Sequence, residues 1–124
     1  MILNNNLYSI IESDASRRTF KVGLIPDCAI YKAHFPELPV TPGVCIIQIA
    51  TELAQELFEI SLRLVSVQNA KFLNIIHPIE TPEINYIFRK VMENDEDDTV
   101  KVMTEVADNE GMIYAKLTLV YRKK

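Results

Sequence analysis

The chain has 124 residues, 48% of them hydrophobic and 24% charged, which is the balance of one soluble globular domain and excludes a disordered, collagen-like or disulfide-framed chain. Seventeen acidic and 13 basic residues give a net charge of −4, and no Lys/Arg cluster is dense enough to leave the footprint of a nucleic-acid binder. No apolar run reaches the roughly 18 residues of a membrane span. The opening MILNNNLYSIIES lacks both the positive region and the apolar stretch of a signal peptide. The expectation is therefore a single domain over residues 1–124 of a cytoplasmic protein, with Cys28 and Cys45 as free thiols.

Residues 7–13 and 19–24 predict two short strands around the polar turn at 14–18. Residues 25–42 hold four of the six prolines, Pro26, Pro36, Pro39 and Pro42, and predict a rigid irregular loop, because proline lacks an amide donor and restricts its predecessor. Residues 43–60 predict the long helix, with Pro42 at its start, where a missing N–H costs nothing. At about 100° per residue, Gln48, Thr51, Glu52, Gln55, Glu56 and Glu59 fall on a polar face. Ile46, Ile47, Ile49, Ala50, Leu53, Ala54, Leu57 and Ile60 fill the broader apolar face. Beyond the helix, residues 62–68, 70–76, 83–92, 99–107 and 111–121 show the alternation or β-branched enrichment of strands. The last three strands are long and joined by polar turns, one of them carrying the acids Glu93, Asp95, Glu96, Asp97 and Asp98, so they predict an antiparallel meander. A helix wrapped by an antiparallel sheet is an α+β domain.

The stretch His34-Phe35-Pro36-Glu37-Leu38-Pro39-Val40-Thr41-Pro42-Gly43-Val44 resembles the HFPxxPVxPGV motif of hot-dog-fold 3-hydroxyacyl-[acyl-carrier-protein] dehydratases. Lys71-Phe72-Leu73-Asn74 and Pro78 are similar to that family's KF segment and the proline after it. The resemblance implies a curved antiparallel sheet around one long helix, a dimer of such units, and a tunnel for an acyl chain on a phosphopantetheine arm. His34 then takes the motif histidine's position and faces the partner subunit's helix. The family's carboxylate position on that helix is occupied by Gln48. Tyr31, Phe35 and Pro42 are the implied tunnel lining, and an acyl carrier protein is the implied partner. No cofactor or metal is implied.

Dehydrating a 3-hydroxyacyl thioester needs a base, an acid for the departing hydroxide, and donors for the enolate-like oxygen. An imidazole such as His34 titrates near neutral pH and suits the base. Gly43, with Val44 after it, offers backbone N–H groups at the helix start, where the helix dipole favours negative charge. The acid is the missing part, since the Gln48 amide hydrogen-bonds but delivers no proton at neutral pH. The family order of acid, three residues, glutamine is reversed here as Gln48-Ile49-Ala50-Thr51-Glu52. That places Glu52 one turn along as a replacement acid acting through water, or leaves a site that has lost dehydration. Ala33 stands where the family has glycine before the histidine.

Three functions compete on these residues. They are a dehydratase with altered acid chemistry, a non-catalytic acyl-binding or partner subunit of an intact dehydratase, and a hot-dog thioesterase in which Glu52 activates water. A protein with no ligand is the remaining alternative. Lys32, Arg63, Lys71, Arg89 and Lys90 are candidates for a basic rim that docks an acidic carrier. His77 reads as a surface-loop residue. Cys45 falls in the first helical turn, where a thiol's pKa can drop, and reads as packing. Tyr31 either lines the tunnel or packs beneath the loop. The final strand region, long and in need of a neighbour, predicts dimerisation of two sheets edge to edge.

Overall fold

A computed structural model describes residues 2–33 and 37–124 of the chain. His34, Phe35 and Pro36 lie outside the described residues. The elements are β1 (Tyr8–Asp14), β2 (Thr19–Leu24), α1 (Ala29–Ala33), α2 (Gly43–Phe58), β3 (Leu62–Phe72), β4 (Glu83–Asn94), β5 (Thr99–Ala107) and β6 (Ile113–Lys123). Six antiparallel strands form one sheet in the order β1-β2-β4-β5-β6-β3. The meander β4-β5-β6 forms as the sequence predicts. One long helix packed on a curved antiparallel sheet is the hot-dog arrangement, an α+β fold.

The sheet gives α2 a continuous apolar surface because inward positions alternate along every central strand. Val100, Val102 and Val106 of β5 and Leu117, Leu119 and Tyr121 of β6 are buried beneath it. From the helix, Ile46, Ile49, Ala50, Leu53 and Ala54 are buried in return. Phe20 and Phe88 meet edge to face at 6.1 Å between ring centroids, the arrangement that aromatic quadrupoles favour.

Several expectations are corrected. Residues 62–68 and 70–76 are one strand, β3, ending at Phe72. Two register shifts, at Leu64/Ser66 and Val67/Asn69, let it follow β6 without a break, because bulges bend a strand while pairing continues. The proline-rich segment includes the short helix α1. No proline stands between Pro26 and Pro36, so the Cys28 carbonyl is free to accept the Tyr31 and Lys32 amides. Helix α2 stops at Phe58 and not at residue 60, because Glu59 turns left-handed with φ 55°. Thr51 is buried and not part of a solvated face, and its hydroxyl meets the Ile47 carbonyl at 3.1 Å and the Tyr121 hydroxyl at 3.2 Å. The final strand, β6, lies inside the sheet between β5 and β3. The edges are β1 and β3, which moves the argument for an unpaired edge from the last strand to β3.

Candidate functional site

The start of α2 is built by the proline-rich loop. Pro42 is the N-cap residue, extended at φ −61° and ψ 147°. Its carbonyl accepts the Cys45 amide at 2.9 Å and the Ile46 amide at 3.0 Å. The loop is pinned from behind by Thr41, whose amide donates to the Ile76 carbonyl at 2.9 Å. Tyr31 is buried, and its hydroxyl lies 2.7 Å from the Thr41 hydroxyl. This contact packs Tyr31 against the loop at Thr41. Burial, partly offset by that hydrogen bond, pushes its phenol up to about 12, so it stays neutral through the physiological range.

Gly43 opens the helix beneath an aromatic ring. A Cβ at this position would lie 3.0 Å from the Phe72 ring at the end of β3. Glycine lets the ring lie this close, since a side chain here would require the ring to give by a few tenths of an ångström. Val44 points outward and is 66% exposed. Phe72, Leu73 and Ile75 are also exposed, so the mouth of the helix is rimmed by apolar side chains. Cys45 is buried. Desolvation, with Cys28 nearby, raises its thiol pKa, so burial outweighs the helix-start effect the sequence brings to mind.

One turn further along, Gln48 and Glu52 are joined. The Gln48 Nε2 donates to Glu52 Oε2 at 2.8 Å. Glu52 accepts three further bonds, from the Leu3 amide at 2.8 Å, the Asn4 amide at 2.8 Å and the Tyr8 hydroxyl at 2.9 Å. Each carboxylate oxygen therefore has two donors, which uses the about four lone-pair directions a carboxylate offers. Burial first, and then the Glu52 charge, push the Tyr8 phenol well above its ordinary value, which keeps it a donor. A carboxylate so occupied is a latch between the N-terminal segment and α2. Both oxygens are engaged, so the expected role of Glu52 as replacement acid or thioesterase base would require one of these four bonds to be given up.

The structure brings Gly43, Gln48 and Glu52 along one helix, with Pro42 at its N-cap and Tyr31 in α1 behind its start. The roles expected of His34 and Phe35 fall outside the described residues. Of the expected basic rim, Lys71 and Arg89 share a groove of about 380 Å³ on the sheet with Lys116 and Glu105, whereas Lys32, Arg63 and Lys90 do not line it. Arg89 is ion-paired with Glu105. The partners of Glu52 at Leu3 and Asn4 had no signal in the sequence, because they act through backbone amides. Tyr8 had one, since alternation along β1 turns it inward. Among the described residues, no group of His, Cys, Asp and Glu side chains could hold a metal ion. No helix there is long and apolar enough to cross a membrane.

Comparison with known proteins gives three findings. A sequence model for the family described as ApeI-like, ApeI dehydratase, matches residues 10–112. A 3-hydroxyacyl-[acyl-carrier-protein] dehydratase FabZ of Rickettsia typhi is 32% identical over 83 residues, covering 60% of this chain and 57% of that protein. The chain thus spans little more than half the length of this curated relative. Among solved structures, the dehydratase heterocomplex ApeI:P of Xenorhabdus doucetiae is similar with a TM-score of 0.63 at 16% identity, over 93% of this chain and 97% of that one. The putative thioesterase yhdA of Lactococcus lactis is similar with a TM-score of 0.62 at 13% identity, over 99% of this chain and 98% of that one. At these identities the structural likeness is one of fold, and one fold serves several chemistries.

Proposed function

Because the chain belongs to the ApeI-like dehydratase family, we propose that it binds acyl thioesters carried on an acyl carrier protein and handles the 3-hydroxyacyl/2-enoyl pair. The observation that carries this reading is the start of α2. There a glycine kept bare beneath Phe72 follows the rigid proline loop, one turn before Gln48. The Gly43 and Val44 amides at a helix start suit a thioester oxygen that gains negative charge. In this reading His34 is the base that removes the proton beside the carbonyl. The site is completed by a second hot-dog chain, so the active form is a dimer, acting in the cytoplasm.

A second reading is favoured by the Gln48–Glu52 pair. Position 48 lacks an ionisable group, and Glu52 is saturated by hydrogen bonds. A subunit of this kind would supply His34 and the acyl-binding walls to a partner chain that brings its own carboxylate. The ApeI:P heterocomplex named above supports a pairing of two unlike chains as the form to test.

The test is hydration of crotonyl and longer 2-enoyl thioesters, with the protein alone and with a candidate partner dehydratase. Hydration by the isolated protein, abolished in His34→Ala, supports the first reading. Activity that appears only in the mixture, and still depends on His34, supports the second. No activity in either, with no acyl thioester bound, overturns both.

A further inference from the structure

The first residues of the chain form a closed turn against α2. The Leu3 carbonyl accepts the Asn6 amide at 2.9 Å and the Leu7 amide at 2.8 Å, and the Asn5 amide donates to the Tyr8 carbonyl at 2.6 Å. Leu3 and Leu7 are buried in the core, and the Leu7 carbonyl accepts the Ile25 amide, just beyond β2, at 2.8 Å. Such a turn leaves its leading amides without an acceptor of its own, as the first turn of a helix does. Glu52 supplies one, taking the Leu3 and Asn4 amides at 2.8 Å each and the Tyr8 hydroxyl at 2.9 Å. The same carboxylate accepts from Gln48 Nε2. A glutamine–carboxylate pair one helical turn apart is weak on its own, because both side chains are long and lose rotamer freedom on pairing. Here three donors from outside the helix pin the acceptor. Gln48 is half-buried and engaged beyond Glu52 as well, so the pinned carboxylate is one anchor among those that set its side chain.

We infer that the N-terminal turn, Leu3 to Tyr8, is a positioning element of the acyl site: through Glu52 it holds the Gln48 side chain in its ligand-binding arrangement, so that turn docking and acyl binding strengthen each other. The inference rests on the acyl-binding reading above and deepens it. Leu3, Asn4, Tyr8 and Glu52 act through Gln48 and are positioning residues. The path is a contiguous chain of hydrogen bonds, from backbone amide to carboxylate to side-chain amide, the kind of physical network that carries energetic coupling. Coupling between two binding events is reciprocal. If the docked turn favours the ligand, the bound ligand favours the docked turn, and the amides of the turn report the ligand's arrival.

The test measures amide exchange at Leu3 and Asn4 in the intact protein, free and saturated with 3-hydroxyoctanoyl-pantetheine amide, whose affinity is read by calorimetry. In wild type the ligand is expected to slow exchange at these two amides about fivefold. In Gln48→Leu, which leaves the bonds of Glu52 to Leu3, Asn4 and Tyr8 in place, saturation with the same ligand should not slow them. Gln48→Asn keeps an amide one methylene too short for Glu52 and serves for the same comparison if Gln48→Leu takes no ligand. Tyr8→Phe keeps the ring and removes one donor to Glu52. It should weaken the ligand about threefold on its own and have no further effect beside Gln48→Leu, the non-additivity expected of residues in one network. A purely structural role for the turn would make the Tyr8→Phe loss equal in both backgrounds, and that result overturns the inference. Unchanged exchange in saturated wild type, or slowing that persists in the position-48 variants, also overturns it while leaving the acyl-binding reading intact. A wild type that binds no ligand removes that reading and the inference with it.

Discussion

At the scale of single residues, the proposed function is tested most directly at position 48. Gln48→Glu restores a carboxyl group beside Glu52, whose oxygen now lies 2.8 Å from the amide nitrogen. Two carboxylates at that separation cannot both ionise, so the new group is held protonated and its pKa rises. A carboxyl with a raised pKa is a suitable general acid near neutral pH. Dehydration by the variant should exceed that of wild type by about ten- to a hundredfold, and it should fall as pH rises through the raised pKa. Stability follows with the same sign. A group whose folded pKa lies above its unfolded value of about 4.3 loses stabilisation as pH climbs from that value to the raised one. Urea titrations of variant and wild type should therefore agree best in acid and diverge toward neutral pH. Glu52→Ala makes the complementary prediction. It leaves two backbone amides and the Tyr8 hydroxyl without their acceptor, at a cost of about 2–3 kcal/mol. Amide exchange at Leu3 and Asn4 should accelerate well before the central strands respond.

At the scale of elements, the helix shows what periodicity can and cannot read. Its apolar stripe was legible because Ile46, Ile49, Ala50, Leu53 and Ala54 repeat at helical spacing and are buried as that spacing requires. Thr51 was misread as solvated, because its partner Tyr121 lies 70 positions along the chain. The break expected within β3 was misread for a similar reason. Bulges disturb the two-residue alternation while the strand continues. The helix start was legible from proline and glycine chemistry, but the cause of Gly43 lies in Phe72, a contact between distant segments. On β5, Thr104 offers a further test. It is buried on the core-facing side, and its hydroxyl has no hydrogen-bond partner among the described residues. Thr104→Val keeps the shape and the β-branched side chain while removing an orphan hydroxyl. It should stabilise the fold by about 1 kcal/mol, read as a higher denaturation midpoint at unchanged slope. A drop in the midpoint would mean that the hydroxyl has a partner in solution.

At the scale of the whole molecule, the sheet has two edges of unequal character. Strand β1 has 7 residues and a register shift at Ile10/Glu12, which blunts an edge against further pairing. Strand β3 has 11 residues, nearly all exposed along its middle. Its centre, Val65-Ser66-Val67-Gln68-Asn69, carries no charge, while Arg63 and Lys71 stand toward its ends. Val65 is 41% and Val67 44% exposed. An edge of this length without a central charge is what soluble proteins avoid leaving open. Two copies related by a twofold axis can pair β3 antiparallel to itself, so that each strand's centre meets the other's. The Phe72 end of β3 lies against the start of α2, so joining at this edge brings each helix start beside the second chain and encloses the apolar rim around Gly43. Sedimentation at micromolar concentration should therefore show a species of twice the 14.2 kDa chain mass. Val67→Lys places a cation near the dyad on both chains, where the charges oppose each other directly, and cross-strand like charges destabilise pairing. The variant should sediment as single chains at the same concentration and, with its site opened to water, lose acyl-ligand binding together with the dimer. Wild type sedimenting at one chain mass would rule out joining at β3. A Val67→Lys protein that stays dimeric would place the contact on another face.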